Sequence, residues 1–294
     1  MMSVAARQLP DGRLHLHHGP IDLIIFADSR QQAVIVTALR AAWMRFRTIL
    51  EEVVQELPLL RSGWSEASEL PVGTTARRMC KSVTPYSRHE FITPRAAVAG
   101  AVAEEVLESM TQSADLDRAY VNNGGDIALH LSPGQSYRLT IADLNGNSLG
   151  EVEISADTPV RGIATSGRGG RSHSLGIADS VTVLAPTAAA ADAAATLIAN
   201  AADLPDHPTV ERCLAEELNA DTDLRGLSVV RACGRLTEDD ISTALQSGVE
   251  VARTICCKGR VCAAALFLQG QSRFVCEENF RTPKDWWKLP DARH

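Results

Sequence analysis

Apolar positions recur along this chain in two periods, and their order predicts a central run of strands with helices before and after it. Residues 14–26 read as two short strands around Gly19-Pro20, a hairpin-type opening. Val36, Leu39, Trp43, Phe46, Leu50 and Val53 then recur at three- and four-residue steps, which predicts a long helix ending at Pro58. Ser29 with Gln32 three residues on offers that helix a capping box. Residues 60–73, rich in Ser, Gly and Pro, read as a loop. Two more helical stretches follow, at about 74–82 and 95–110. The second opens on the small side chains Ala96-Ala97-Val98-Ala99-Gly100-Ala101, which let another backbone or a ligand come close.

The middle of the chain is strand-like. Residues 119–121 and 127–129 flank Asn122-Asn123-Gly124-Gly125-Asp126, and further strand patterns lie at 137–142, 151–154, 162–165 and 180–184. Residues 187–202 are nearly all alanine and predict a strong helix. A helix over 210–218, a strand near 227–230, a helix over 239–252 and a final hairpin of 261–268 with 272–275 complete the pattern. Strands grouped between helices favour an α+β fold over alternating βαβ units: central, mostly antiparallel strands flanked by helices. With no repeat and no linker, residues 1–294 read as one domain of two closely packed α+β subdomains.

Composition narrows the classes. The 294 residues carry 29 basic and 36 acidic side chains, a formal charge of −7, and 45% are hydrophobic. Such a chain can bury a full core. Its acidic balance, without a Lys/Arg stripe, argues against a partner that is duplex nucleic acid. No apolar run reaches about 18 residues, which disfavours a membrane span, and the first residues show no secretory leader. Seven cysteines, an odd number, suit reduced thiols and a cytoplasmic location. Cys256, Cys257, Cys262 and Cys276 lack the paired spacing of a zinc site. His15 and His17 share a strand face, yet their alternation with Leu14 and Leu16 is that of any half-buried strand.

Three segments could carry chemistry. In Asn122-Asn123-Gly124-Gly125-Asp126 the paired glycines let a phosphate or ribose approach the main chain, and Asp126 could accept ligand hydroxyls; the same residues also spell a plain hairpin turn. The run from Arg161 to His173, with Thr165, Ser166, Gly167, Arg168, Gly169, Gly170 and Arg171, is either an anion cradle or a surface loop with solvated arginines. His173 is its one group able to exchange a proton near neutrality. Asp192 and Thr196, four apart on the alanine helix, project to one side and would suit Mg2+, which takes few protein ligands and keeps several waters; on spacing alone a solvated aspartate with a packed threonine is the favoured reading, because any helix offers such pairs.

Taken together and in this order, these segments resemble the ApbE superfamily, whose members include Mg2+-dependent FAD:protein FMN transferases. The resemblance rests on Asn122-Asn123-Gly124-Gly125-Asp126, Ala164-Thr165-Ser166-Gly167, His173, Ser180-Val181-Thr182-Val183 and Ala191-Asp192-Ala193-Ala194-Ala195-Thr196, all within the motif region 117–202. Phe91-Ile92-Thr93-Pro94 and Ala265-Leu266-Phe267-Leu268-Gln269-Gly270 resemble phrases of its cytoplasmic, uncharacterised branch. The resemblance implies Mg2+ held by Asp192, Thr196 and a backbone carbonyl at Ala99. It implies FAD or a related flavin nucleotide bordered by Asn123, Gly124, Gly125 and Asp126, with Thr165, Ser166 and Gly167 lining the same cleft, and His173 giving acid–base help. The chain departs from the transferases at Ala99-Gly100-Ala101-Val102, which has no lysine before the glycine, and in the shortened segment 173–179. These departures weigh against transfer of FMN onto a protein. Three functions follow as expectations: Mg2+-dependent transfer or hydrolysis on a flavin dinucleotide, binding of a nucleotide-like small molecule without phosphoryl chemistry, or a scaffold retaining only the fold. A homo-oligomer or an unidentified acceptor protein would be the macromolecular partner.

Overall fold

The computed structural model describes residues 4–142, 148–170, 173–276 and 287–288. In chain order, β1 (Ala5–Gln8), β2 (Leu14–His18) and β3 (Ile21–Asp28) lead into α1 (Gln32–Gln55), α2 (Leu57–Leu60) and α3 (Thr74–Val83). A 3-10 turn at Pro94–Ala97 runs into α4 (Val98–Ser113). Then come β4 (Arg118–Asn123), β5 (Asp126–Leu131), β6 (Ser136–Ala142), β7 (Ser148–Ser155), β8 (Gly162–Ser166) and β9 (Ser180–Ala185). The chain continues through α5 (Ala188–Ala201), β10 (Val210–Leu214), α6 (Ala215–Leu218), β11 (Ser228–Cys233) and α7 (Glu238–Cys257). It closes with β12 (Ala263–Leu268), β13 (Gln271–Cys276) and β14 (Trp287–Lys288).

Nine strands form one sheet in the order β1-β2-β3-β4-β5-β8-β9-β12-β13, antiparallel at every step. Two-residue alternation sends Ala119, Val121, Ala128, Ala164 and Val183 to a core shared with α1, α4, α5 and α7. The opposite face, carrying Leu129, Leu131, Ile163 and Leu184, packs on Ile141, Val152 and Ile154 of the β6-β7 hairpin. The fold is therefore α+β, with helices on one face of a large antiparallel sheet. Among the described residues, no helix is long and apolar enough to cross a membrane.

The alanine run becomes α5, and its composition explains its place. Ala188, Ala189, Ala191, Ala193, Ala194 and Ala195 are all buried, so the helix lies in the middle of the helical layer and lets its neighbours approach at backbone distance. At Gly162 an added Cβ would fall 2.1 Å from the carbonyl carbon of Thr187, at the start of this helix.

Several sequence expectations differ from what folds. Residues 210–218 do not form one helix. Val210–Leu214 pairs antiparallel with β11 through a bulge, and only Ala215–Leu218 turns helically. Leu214 and Leu218 are exposed, so a helix there would bury no apolar stripe. The Ser29–Gln32 capping box does not form: α1 begins at Gln32, which puts the glutamine in the first helical position instead of the third, and no side chain caps that end. The buried face of α1 is Ala38, Ala42, Phe46, Ile49 and Val53, with Val36 56% exposed and Leu39, Trp43 and Leu50 only partly buried against the core. Strand β1 escapes a pattern-based reading because all four of its residues are exposed.

Candidate functional site

The β4-β5 turn is the first part of the site. Asn123 pairs with Asp126, and between them Gly124 and Gly125 take φ of +66° and +113°, the left-handed values that a two-residue hairpin needs. The Asn122 side-chain oxygen accepts from the Gly125 N–H at 2.8 Å, and the space where Gly125 would carry a Cβ is open. The turn is tied down on two sides. Asn123 Nδ2 donates to the Ala99 carbonyl at 3.1 Å, and the Thr165 N–H donates to Asp126 Oδ1 at 3.2 Å. By strand alternation from Val121 and Ala128, both Asn123 and Asp126 belong to the helical face of the sheet.

The second part is the meeting of α4 and α5. Gly100, in the first turn of α4, donates its N–H to Asp192 Oδ2 at 3.0 Å. The helices touch backbone to backbone here: a Cβ on Gly100 would lie 2.3 Å from the Ala188 carbonyl oxygen. Asp192 is crowded by protein yet keeps part of its surface open. Burial raises its carboxyl well above the ordinary value, and the neighbouring Asp126 adds to the rise; the Gly100 and Ala99 amides oppose it. Thr196, one helical turn further along α5, is half-buried. The structure thus brings Ala99, Asn123, Asp126, Thr165 and Asp192 together from four separate segments, with Thr196 beside them on α5.

Other candidates are placed differently. The Thr165 hydroxyl bonds to that of Thr182 at 2.9 Å, so this residue turns its N–H, not its side chain, to Asp126. Ser166 ends β8, on the helical face by alternation with Thr165. Gly167, at φ +137°, packs against the Asp179 and Ala178 carbonyls, and the loop after it is closed on itself. Arg168 donates from Nη2 to Asp179 Oδ1 at 2.5 Å and from Nε to the Ile177 carbonyl. The N–H groups of Arg168, Gly169 and Gly170 are taken by Ala178, Asp179 and Gly167. The Arg161 guanidinium is spent on the carbonyls of Ala156, Thr158 and Val160. Arg161 and Arg168 are thus bonded within the chain and do not stand as solvated arginines; Arg171 and Ser172 lie outside the described residues.

His173 is exposed, and its neighbours lead away from Asp192. Ser174 accepts from the Val230 N–H, and the Leu175 and Ile177 amides bond to Asn200 and Ala202 at the C-terminal end of α5. That end is roughly 12 Å along the helix from Asp192 at 1.5 Å per residue. Two recesses, of about 370 and 290 Å3, lie beside α4 around His130, and neither is lined by Asp126 or Asp192. The acid pair is marked by hydrogen bonding and charge and not by depth. Sequence reasoning missed Glu104, which accepts the Ala189 N–H at the start of α5, and Arg78, which braces Glu104; the signal for Glu104 was its place one turn after Gly100 in the small-residue stretch.

The donor set fits a hard divalent cation. Asp192 and Asp126 carboxylates, the Ala99 carbonyl and the Thr196 hydroxyl all offer oxygen, and an Asp192 carboxyl whose ionisation burial and Asp126 disfavour would gain from a cation beside it. Among the described residues no group of three or more His, Cys, Asp or Glu converges as a metal cage. The remaining positions would fall to water or ligand oxygens, as Mg2+ prefers.

Comparison with known proteins adds the family. The family model described as AbpE bacteria matches residues 6–274. A UPF0280 protein of Methanopyrus kandleri is 33% identical over 189 residues, 61% of this chain and 69% of that protein. A UPF0280 protein of Methanococcus vannielii is 32% identical over 184 residues, 59% of this chain and 70% of its own length. Among solved structures, the flavin transferase ApbE from Vibrio cholerae is similar at a TM-score of 0.43 with 13% identity, covering 94% of this chain and 99% of that one. The Pseudomonas stutzeri flavinyl transferase ApbE aligns at 0.43 and 12%, covering 93% of each chain. Matched along almost its whole described length, the chain belongs to the AbpE bacteria family.

Proposed function

We propose that this protein binds a flavin dinucleotide such as FAD through a divalent cation held at the meeting of α4, α5 and the β4-β5 turn. The observation that carries the reading is the convergence of Asp192, Asp126 and the Gly100 amide. A diphosphate brought to two carboxylates is repelled unless a cation lies between them, and Arg161 and Arg168 are already engaged. Asp192, Thr196 and the Ala99 carbonyl would hold Mg2+. Asn123, Gly124, Gly125 and Asp126 would border the nucleotide, with Ser166, Gly167 and the Thr165 amide along the adjoining wall. When bound, the ion would neutralise the pyrophosphate and polarise its P–O bonds.

Binding without turnover is the preferred reading, because His173 is tethered to the far end of α5. One observation favours a second reading, transfer or hydrolysis at the pyrophosphate. His173 is exposed, and an imidazole brought to the pyrophosphate could take the proton of an attacking hydroxyl. A cytoplasmic location accords with an odd number of cysteines, seven, in a chain of this length. The test is a thermal shift of the full chain with FAD, FMN or neither, each with and without Mg2+. A ligand at 100 times its dissociation constant adds about 2.7 kcal/mol. The expected result is a shift with FAD that needs Mg2+ and disappears in Asp192→Ala. No flavin-dependent shift, or the same shift in the variant, overturns the reading.

A further inference from the structure

We propose that Glu104, backed by Arg78, is the positioning residue that holds Asp192 in its place at the cleft; the inference rests on the cation-binding reading above. Helices α4 and α5 exchange carboxylates at their N-terminal ends. Asp192, from the second turn of α5, accepts the Gly100 N–H of α4 at 3.0 Å. In return Glu104, one turn along α4, accepts the Ala189 N–H of α5 through Oε1 at 2.7 Å. Both bonds lie within the spans 100–104 and 188–192, one turn of each helix, and between them the Gly100 backbone rests on the Ala188 carbonyl. Three contacts so close together fix the first turn of α5 in translation and rotation.

The clamp is itself braced. Glu104 Oε2 accepts from Arg78 Nη1 at 3.2 Å, and the Glu104 side chain is only 15% exposed. Arg78 is held in turn by Glu105, at 2.9 Å, and by Glu108. The first N–H groups of a helix have no partner inside it, and on α5 Thr187 supplies one acceptor, to Ala190, while Glu104 supplies the other. Without Glu104 the Ala189 amide loses its partner, the first turn of α5 loosens, and Asp192, three residues on, loses its register against Gly100. Glu104 needs no contact with a ligand to act in this way. Groups that orient a metal ligand from behind typically change metal affinity by about 10–100-fold when removed.

The experiment compares wild type, Glu104→Gln, Glu104→Asp and Glu104→Ala. Each full chain is titrated with Mg2+ by calorimetry, alone and with FAD present, and amide exchange is followed at Gly100 and Ala189. Glutamine keeps the acceptor and should hold affinity within about 3-fold of wild type; alanine should lose about 10–100-fold, with faster exchange at both amides. Aspartate, one methylene short, should lose the Ala189 bond while keeping the charge, and it replaces alanine if that variant does not fold. Unchanged Mg2+ affinity in the alanine or aspartate variant, with lower thermal stability only, makes Glu104 merely structural and overturns the inference. If wild type itself binds no Mg2+, the cation-binding reading fails; the exchange at Gly100 still reports whether Glu104 positions Asp192, and unchanged protection there overturns the clamp as well.

Discussion

Gly100→Ala is a sharp perturbation because two physical effects give opposite signs. In an ordinary helix interior, replacing glycine by alanine stabilises by about 0.5–1 kcal/mol, since glycine loses more backbone freedom on folding. Here the new Cβ would stand 2.3 Å from the Ala188 oxygen, 2.5 Å from its carbon and 2.7 Å from the Ala189 nitrogen. These are backbone atoms of a buried helix, so no side chain can swing aside, and α4 and α5 must part by roughly an ångström to restore normal contact. Overpacking of this kind costs about 1–3 kcal/mol, enough to outweigh the propensity gain. The parting also stretches the Gly100–Asp192 and Ala189–Glu104 hydrogen bonds. Urea denaturation should therefore show a lower midpoint at an unchanged slope, and the Mg2+-dependent FAD shift should weaken in the same variant. A variant as stable as wild type or more so, with its ligand response intact, would refute the close approach of the two helices.

Asp192→Asn should act through pH. Burial and Asp126 raise the folded carboxyl above its unfolded value, so the folded chain binds that proton more tightly. The associated stability is present below about pH 4 and is lost as pH rises toward the raised value. Metal-free Asp192→Asn should therefore exceed wild type in stability at pH 7, with the gap closing near pH 4; urea midpoints at both pH values check this, and a more stable wild type at pH 7 contradicts it. Glu105→Gln should destabilise by about 1–3 kcal/mol, because Arg45 and Arg78 lose a shared buried acid but keep Glu52, Glu104 and Glu108. In wild type, burial would raise Glu105, but bonds from Thr74, Arg78 and Arg45 outweigh it and the carboxyl is lowered; its contribution should fade as acid drives pH below the ordinary carboxylate range. Thr237→Ala should cost about 1 kcal/mol in thermal unfolding by removing the capping box that starts α7.

Where local chemistry alone decides, the sequence was readable. Paired glycines between Asn123 and Asp126 demand a left-handed two-residue turn, and unbroken alanine around Asp192 demands a helix. Strand alternation at 162–165 and 180–184 predicted β8 and β9 because each strand packs one face on the helices and the other on the β6-β7 hairpin. Legibility ended where long-range contact overrode local preference. Residues 210–214 are strand only because β11 pairs with them, and the buried face of α1 follows the surface of α4. In the candidate site, the residues themselves could be picked out, but their engagement could not. Arg168 looked available for an anion until Asp179 folded back onto it, and His173 looked near the acids until Asn200 and Ala202 held its loop. Glu104 stands one turn after Gly100, which marks its place, but its partner amide is 85 positions away and no local pattern reveals that pairing.

The most direct measurement is a crystal structure of the full chain grown with FAD and Mn2+, read by anomalous scattering. The expected result is one manganese peak between Asp126 and Asp192, about 2.0–2.4 Å from an Asp192 oxygen, with flavin phosphate oxygens completing its coordination. Flavin density elsewhere with no manganese at these two acids, or manganese bound only at surface carboxylates, would contradict the claim that four distant segments fold together to hold a diphosphate through a cation.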